Sequence, residues 1–238
     1  MKKWIKWAGV LSLLIVGAFV ALIAFSLTPK EDRRPLPALL VAVDSIEGQQ
    51  LLKDAEAYAD YEALATNFEP QQLTSFCGAA SSTIVLNALG QDVSQTSLFD
   101  DKASEVRSIW RVALQGMTLQ ILADILKSQG AKVSAIYAHS SSIEAFRESV
   151  VRNLSDQGDY MLVNYQREAL GQESVGHISP IAAYDSETDR ALILDTAAYK
   201  YPHTWVPLDQ LFDGMTRIDG ESEISRGWIE VSGQGPSV

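Results

Sequence analysis

Cysteine is almost absent from this sequence, in which Cys77 is the only one among 238 residues. A single thiol cannot form an intrachain disulfide. No Cys-x-x-Cys or His-Glu-x-x-His motif occurs, which argues against a tight structural metal site, and no glycine-rich loop of the kind that binds nucleotide phosphates is present. Cys77 is therefore either a buried structural residue, as free cysteines commonly are, or a chemical reagent.

The surroundings of Cys77 favour the second alternative. The residues from Cys77 to Leu89 begin with small side chains and continue with apolar ones at helical spacing, which predicts a helix that starts at the thiol. At a helix N-terminus the free N–H groups and the dipole favour an anion, so we expect a lowered thiol pKa and a thiolate at neutral pH. Gln71 and Gln72 lie upstream, and either amide could join the backbone N–H of Cys77 in stabilising an oxyanion.

His177 and Asp195 lie in two strand-like runs that a polar turn separates. If Tyr184 pairs with Arg190, then His177 and Asp195 become diagonal neighbours on one face of the sheet, within reach of a hydrogen bond. Cysteine, then histidine, then an acid is the chain order of a papain-type acyl-transfer site. The remaining histidines, which we expect to take no part in the chemistry, are His139 and His203.

Hydrophobic periodicity predicts an α+β layout in which helices come first and strands come later. The predicted helices are residues 48–61, 77–89, 118–129 and 143–154. The predicted strands are residues 160–165, 178–184, 191–195 and 227–231. This order packs an N-terminal helical part on an antiparallel sheet. It sets Cys77 on a helix that faces His177 on the sheet, with a cleft between them.

The first 34 residues are predicted to anchor the protein in a membrane. A basic tip precedes residues 8–27, a run of 20 residues without charge that is long enough to cross a hydrocarbon core of about 30 Å. Three basic residues lie on each side of this run, so the positive-inside rule alone gives no orientation. Because the basic tip precedes a first span, we expect a single-pass protein of the bacterial inner membrane with its catalytic part in the periplasm. The small residues Ala24 and Ser26 offer the alternative of a cleaved signal peptide.

Residues 35–238 are sufficient for one catalytic domain with a full core. They carry 13 basic against 28 acidic side chains, a net charge near −15. Such a surface is a poor partner for nucleic acid or for an anionic membrane. The lone thiol is compatible with an oxidising compartment, because it has no internal partner with which to mispair.

Three blocks of the sequence resemble the phytochelatin synthase family, in particular its short bacterial members, which are papain-like enzymes that act on glutathione. The blocks are residues 76–89, 176–181 and 191–208, within a resemblance that runs from about residue 45 to about residue 227. The resemblance implies Cys77 as the nucleophile, His177 as the general base and acid, and Asp195 as the orienting acid. It selects Gln71, six residues before the cysteine, as the oxyanion amide. The substrate-binding candidates are Gly176, Lys200, Tyr201 and Arg226.

The activity that the resemblance implies is cleavage of the Cys–Gly bond of glutathione through a γ-glutamylcysteinyl thioester on Cys77. Water then gives γ-glutamylcysteine, or a second glutathione gives a phytochelatin. No tightly bound cofactor or protein-bound metal is expected, and cadmium or zinc would act as the metal thiolate of glutathione, a co-substrate. Glutathione and the membrane are the expected partners, nucleic acid is not, and a homodimer is one option for the oligomeric state.

Two departures from the family pattern bear on the products. The cysteine-rich C-terminal region of eukaryotic members has no counterpart after Val231, and Ala198 stands where plant members carry a basic residue. In both respects the chain resembles the bacterial members of the family, and this resemblance favours hydrolysis over transpeptidation. Two alternatives stay open: a papain-like peptidase for another small peptide, and a non-catalytic thiol- or metal-binding membrane protein.

Overall fold

The computed structural model describes residues 26–233. The α-helices of this part are α1 (Ile46–Asp54), α2 (Tyr61–Thr66), α3 (Cys77–Ala88), α4 (Asp101–Val106), α5 (Ile109–Gln115), α6 (Leu119–Ser128), α7 (Ile143–Ser155) and α8 (Leu208–Thr216). Its strands are β1 (Val41–Ala42), β2 (Lys132–Tyr137), β3 (Asp159–Gln166), β4 (Gly176–Asp185), β5 (Arg190–Ile193), β6 (Thr204–Pro207) and β7 (Gly227–Ser232). Two short 3-10 helices, Ala138–Ser140 and Arg167–Leu170, directly follow β2 and β3.

These strands form one antiparallel sheet in the order β1-β6-β5-β4-β3-β7-β2, and helices cover both of its faces. Residues from α1 to α6 share a hydrophobic cluster with Leu162 and Ile229 on one face. Residues from α7 and α8 share another with Val163 and Trp228 on the opposite face. Adjacent residues of one strand thus enter different cores, as the period of two requires in a sheet that is buried on both sides. The predicted α+β class is confirmed.

Seven of the eight predicted elements are confirmed within two residues at each end, and they correspond to α3, α6, α7, β3, β4, β5 and β7. The predicted helix 48–61 is confirmed only as far as Asp54, where α1 ends, and α2 begins at Tyr61, the last residue of the predicted range. The chain leaves helical geometry after Asp54 so that Ala57 can pair with Tyr184 near the end of β4. The elements that the sequence missed are β1, α2, α4, α5, β2, β6 and α8. Because β1 and β2 precede later helices, the expectation that all strands follow the helices is also wrong.

The predicted pairing of β4 with β5 is wrong by one residue at the turn. Arg190 lies opposite Asp185 rather than Tyr184. A β-bulge next to Ile181 absorbs the difference, so that Ile181 lies opposite Ile193, as the predicted pairing required. The error therefore does not reach the end of the sheet at which the predicted site lies.

The predicted membrane span, residues 8–27, falls outside the described residues except for its last two. Among residues 26–233 no helix is both long enough and apolar enough to cross a membrane. The segment that follows the predicted span lies against the domain. The N–H groups of Asp32 and Arg34 donate to the carbonyls of Tyr199 and Lys200, both at 3.1 Å. The chain therefore runs along the region that carries the predicted site.

Candidate active site

Cys77 is the first residue of α3, a helix that is buried along most of its length. The helix lies this close to the sheet because its first turn is made of small residues. A methyl group added at Gly78 would come within 2.9 Å of the sulfur of Met117 and 3.3 Å of Ile178 in β4. The hydroxyl of Ser81 donates to the carbonyl of Ile178 at 3.1 Å and ties the helix to that strand. This packing presents the thiol beside the start of β4.

His177, the second residue of β4, is buried and faces the carboxylate of Asp195, which comes shortly after β5. Nε2 of His177 lies 2.9 Å from Oδ1 of Asp195. The same nitrogen lies 2.9 Å from the hydroxyl of Ser179. The contact between histidine and acid that the sequence predicted is therefore present. Both of these contacts use Nε2, so Nδ1 lies on the other edge of the ring.

Arg167, which sequence reasoning did not single out, holds the far side of Asp195. Its side chain is 1% exposed. Nη2 of Arg167 donates to both carboxylate oxygens, at 2.7 and 2.8 Å, and the N–H of Ala197 donates to Oδ1 at 2.9 Å. The signal in the sequence was an arginine placed directly after β3, a strand that is buried along most of its length, because a cation there needs a buried partner.

Burial and charge act in opposite directions on this pair. Burial raises the pKa of the Asp195 carboxyl, but the guanidinium of Arg167 and the ring of His177 outweigh it and hold the pKa far below its usual range. Burial lowers the pKa of Arg167, yet the attraction of Asp195 leaves that pKa raised overall. Asp195 and Arg167 are thus both charged, and each neutralises the other.

The thiol and the imidazole, by contrast, are both shifted towards their neutral forms. Burial raises the pKa of Cys77, although the N–H of Ile178 and the charge of Arg167 oppose the shift. Burial, together with the Arg167 charge, lowers the pKa of His177, while Asp195 opposes that shift. Both shifts oppose the thiolate that the sequence predicts at neutral pH, and that expectation stays a prediction. The loss of hydration outweighs what the helix N-terminus contributes.

The structure distinguishes between the two upstream glutamines. Gln71 is buried and lines the same cleft as Cys77, whereas the side chain of Gln72 is exposed. The amide nitrogen of Gln71 donates to the carbonyls of Leu73 and Thr74, at 3.0 and 2.8 Å. Both amide hydrogens are thereby engaged, so Gln71 lines the same cleft as Cys77 but its amide is not free to donate to a ligand there.

Cys77 and His177 open onto a cleft with a volume of about 930 Å³. Six of the eight predicted site residues line this cleft, namely Gln71, Cys77, Gly176, His177, Lys200 and Arg226. The other two, Asp195 and Tyr201, lie behind the lining and support it. Asp195 contacts His177, and the hydroxyl of Tyr201 donates to Glu173, a lining residue, at 2.8 Å.

Arg226 forms one charged wall of the cleft. Its Nη1 donates to Oδ2 of Asp219 at 2.8 Å and to Oδ1 of Asn164 at 2.9 Å. A side chain at Gly176 would clash with it, since an added methyl group would lie 2.6 Å from Nη1 of Arg226. Glycine is therefore required there for the guanidinium to reach the cleft. Asp219 and Asn164 also line the cleft, and sequence reasoning missed both.

Glu173, another residue that sequence reasoning missed, forms a second charged wall. Nζ of Lys200 and the hydroxyl of Tyr201 both donate to its carboxylate. Nη1 of Arg34 lies 3.9 Å from it. Burial raises the pKa of Glu173, but the hydrogen bonds from Lys200 and Tyr201 prevail and lower it to about 2. Two of the substrate-binding candidates therefore hold an anionic side chain in the absence of ligand.

The other histidines lie away from this cleft. The exposed His139 has Nδ1 2.8 Å from the hydroxyl of Ser225. The ring of His203 packs edge-on against Phe68, with the two centroids 4.4 Å apart. Within residues 26–233, no group of three or more His, Cys, Asp or Glu side chains is arranged to hold a metal ion.

Comparison with known proteins connects this geometry to a family. The sequence matches the family model of phytochelatin synthase over residues 31–228. It is 34% identical to glutathione gamma-glutamylcysteinyltransferase 3 of Lotus japonicus over 211 residues, which cover 84% of this chain and 44% of that protein. It is 35% identical to glutathione gamma-glutamylcysteinyltransferase 2 of Arabidopsis thaliana over 209 residues, which cover 84% and 46%.

A more distant relative is the glutathione gamma-glutamylcysteinyltransferase of Schizosaccharomyces pombe. It is 27% identical over 206 residues, which cover 83% of this chain and 50% of that protein. The chain thus spans about half the length of the curated relatives it matches. Because the family model matches residues 31–228, which include Cys77, His177 and Asp195, the chain belongs to the phytochelatin synthase family.

Proposed function

We propose that this chain cleaves the Cys–Gly peptide bond of glutathione by thiol acyl transfer. The observation that carries the proposal is the buried array of His177, Asp195 and Arg167. His177 and Arg167 line the same cleft as Cys77, the only cysteine of this chain, and the chain belongs to the phytochelatin synthase family. The names of the matched relatives, glutathione gamma-glutamylcysteinyltransferases, support the choice of substrate. A cleft of about 930 Å³ has room for a tripeptide.

In the first step Cys77 is the nucleophile and His177 is the general base. The thiol proton passes to Nδ1 of His177 as the sulfur attacks the carbonyl carbon of the Cys–Gly bond. Asp195 orients the ring through Nε2 and balances the imidazolium charge, while Arg167 holds Asp195 ionised and in place. The imidazolium then returns its proton to the leaving amine. Glycine departs, and a γ-glutamylcysteinyl thioester remains on the sulfur.

In the second step the thioester is transferred to an acceptor. His177 takes a proton from water, which attacks the thioester carbon, and that proton returns to the Cys77 sulfur as γ-glutamylcysteine leaves. When the amino group of a second glutathione attacks instead, the product is a phytochelatin. Cadmium or zinc is assigned to the substrate side, as the metal thiolate of glutathione. Ala198 supports hydrolysis as the main route, since no cation is supplied at that position for an acceptor carboxylate.

The charged walls of the cleft suit the ends of glutathione. Arg226 and Asp219 offer a cation and an anion side by side, which complements the carboxylate and ammonium groups of a γ-glutamyl head. Gly176 leaves the guanidinium its space. We assign Glu173 to the second charged wall of the substrate site, where Lys200 and Tyr201 hold its carboxylate in place.

Gln71 is assigned to the oxyanion hole together with the N–H of Cys77. To donate, its amide must give up one of the bonds to the carbonyls of Leu73 and Thr74. The developing negative charge of the tetrahedral intermediate offers a stronger acceptor than either carbonyl. We therefore expect substrate binding and rearrangement of the Gln71 amide to be coupled.

We further propose a papain-like arrangement, in which the cysteine comes from a helix and the histidine from a facing sheet. The support is the position of Cys77 at the start of α3 and of His177 on β4. We also propose that residues 1–34 anchor the protein in the membrane, with the catalytic part in the periplasm. The support for this anchor is the uncharged run at residues 8–27.

The test is incubation of the purified full-length protein with glutathione, with quantification of glycine, γ-glutamylcysteine and phytochelatin. We expect glycine and γ-glutamylcysteine in equal amounts in the presence of a chelator, and no release by the Cys77→Ser protein. His177→Ala should also be inactive, whereas His139→Ala, a matched variant of the exposed histidine, should retain activity. Turnover by Cys77→Ser, or no release of glycine by the unaltered protein, would contradict the proposal.

A further inference from the structure

The short helix α5 exposes two large apolar side chains. Trp110 is 73% exposed and Leu114 is 66% exposed. They are four residues apart in one helix and therefore share a face. Val112 and Ala113, on the other side of the helix, are buried and attach it to the core. Adjacent exposed apolar side chains of this kind are typical of a surface that contacts a partner or a membrane.

This exposed face lies at the mouth of the active-site cleft. Leu114 lines the cleft. The hydroxyl of Ser75 donates to the carbonyl of Ala113 at 2.6 Å, which ties α5 to the segment that leads to Cys77. Any surface that covers Trp110 and Leu114 therefore also lies beside the entrance for substrate.

The N-terminal segment reaches the same rim. The N–H of Thr74, next to Ser75, donates to the carbonyl of Leu27 at 2.9 Å. Ser26 and Thr28 line the same cleft as Leu114. The 18 residues that precede Ser26, residues 8–25, contain no charged side chain. The uncharged run therefore ends close to the exposed face of α5.

The charge of α5 differs from that of the domain around it. Residues 35–238 carry a net charge near −15, whereas the only charged residue of α5 is Arg111. A helix without acidic residues can approach a lipid surface at little electrostatic cost. Tryptophan is the side chain most typical of the membrane–water interface, because its ring is apolar and its N–H can remain hydrated.

We propose that α5 rests on the bilayer surface, with Trp110 and Leu114 in the lipid interface and the mouth of the cleft beside it. This inference rests on the proposed membrane anchor. A segment that leaves the bilayer at about residue 26 holds this rim, rather than the opposite end of the sheet, against the membrane. Glutathione then enters along the membrane surface, and the rest of the acidic domain faces water.

The test uses single labelling sites in the full-length chain. In a Cys77→Ser background, the substitutions Trp110→Cys and Leu114→Cys each provide one thiol for an environment-sensitive fluorophore. Ile46→Cys is the matched control, since Ile46 is 94% exposed at the start of α1 and does not line the cleft. The labelled chains are reconstituted into phosphatidylcholine vesicles, and quenching by a nitroxide lipid is compared with quenching by aqueous iodide.

We expect labels at positions 110 and 114 to emit at shorter wavelength in vesicles and to be quenched by the nitroxide lipid, and the label at position 46 to be quenched by iodide only. Equal iodide quenching at all three positions would overturn the proposal. Labels at 110 and 114 that neither reagent reaches would also overturn it, because the cover would then be protein. Flotation with the vesicles tests the membrane anchor separately from the docking of α5. A chain that fails to float contradicts both the anchor and the docking of α5, whereas one that floats with an iodide-quenched label at 110 contradicts the docking alone.

Discussion

Replacing Arg167 with methionine tests whether the buried pair of Arg167 and Asp195 supports the site. Methionine retains much of the apolar volume but removes the charge and both hydrogen bonds to the carboxylate. Asp195 would then be a buried anion without its main partner. Breaking a buried ion pair from one side typically costs roughly 3–5 kcal/mol. We therefore expect Arg167→Met to lower the free energy of unfolding by about 3 kcal/mol or more.

Removing both charges should be less harmful than removing one. In Arg167→Met/Asp195→Asn no charge is left unpaired in the interior, so this double variant should unfold at a higher urea concentration than Arg167→Met alone. Residues in direct contact commonly show coupling energies of about 0.5–3 kcal/mol in such cycles. A double variant that is destabilised by the sum of the two single losses would refute the idea that the charges compensate each other.

The matched control is the same substitution in an exposed ion pair. Arg152 is 57% exposed and pairs with Glu230 at 2.6 Å. Surface pairs contribute about 0–1 kcal/mol, so Arg152→Met should change urea unfolding little. Equal losses for Arg152→Met and Arg167→Met would refute the reasoning. Residual activity of Arg167→Met gives an independent readout. Since Arg167 lowers the pKa of His177, the acid limb of the kcat/KM profile should move to higher pH.

Three further predictions concern titration. Alkylation of Cys77 by iodoacetamide should be slow at neutral pH and rise with a midpoint above the usual 9.0, with little change in His177→Ala; a rate that reaches its plateau below neutral pH would restore the ion-pair model. The pKa of Glu173 is about 2 against a usual 4.5, so its contribution to stability is complete above pH 4.5 and is lost as the pH falls towards 2. Glu173→Gln should therefore flatten this part of the pH–Tm curve, and an unchanged slope would count against it. Burial raises the pKa of Asp60 from 3.8 to about 7, so stability should fall as the pH rises through this window. Asp60→Asn should therefore raise Tm above pH 7 but leave it unchanged below pH 3.8. An equal rise in Tm in both pH ranges would show that the effect does not come from the titration of Asp60.

The elements that the sequence predicted well are those whose pattern is dictated by burial. Helix α3 and strand β4 are buried along most of their length, and the small and apolar residues that this burial requires indicate their boundaries. Strand β2 was missed because it lies at the edge of the sheet, where only part of each side chain is buried and the alternation is weak. The bulge next to Ile181 did have a signal in the sequence, Pro180, because a proline within a sheet is confined to edges, strand starts and bulges.

The residues of the candidate site also fall into two groups, those that the sequence predicts and those that it does not. Cys77, His177 and Asp195 could be predicted because their residue types and order are specific to a chemistry. Arg167 could not be assigned, because its contact with Asp195 joins residues 28 positions apart in two different strand ends. The direction of the pKa shifts could not be predicted from the sequence for a related reason. A sequence shows that a thiol begins a helix, but the burial that raises the pKa of Cys77 arises only from the packed structure.

Arg167 also explains why the resting site favours neutral groups despite a carboxylate beside the histidine. A buried carboxylate alone would raise the pKa of His177 and favour an imidazolium–thiolate pair. Here the guanidinium cancels most of that field, so burial decides, and the pKa of His177 falls while that of Cys77 rises. The proposed reaction therefore begins with a proton transfer that accompanies the attack of the sulfur. A neutral thiol reacts slowly with oxidants and adventitious electrophiles. Such a resting state suits a lone cysteine in the oxidising compartment proposed for this domain, because reactivity then appears only when substrate brings a carbonyl within reach of the sulfur.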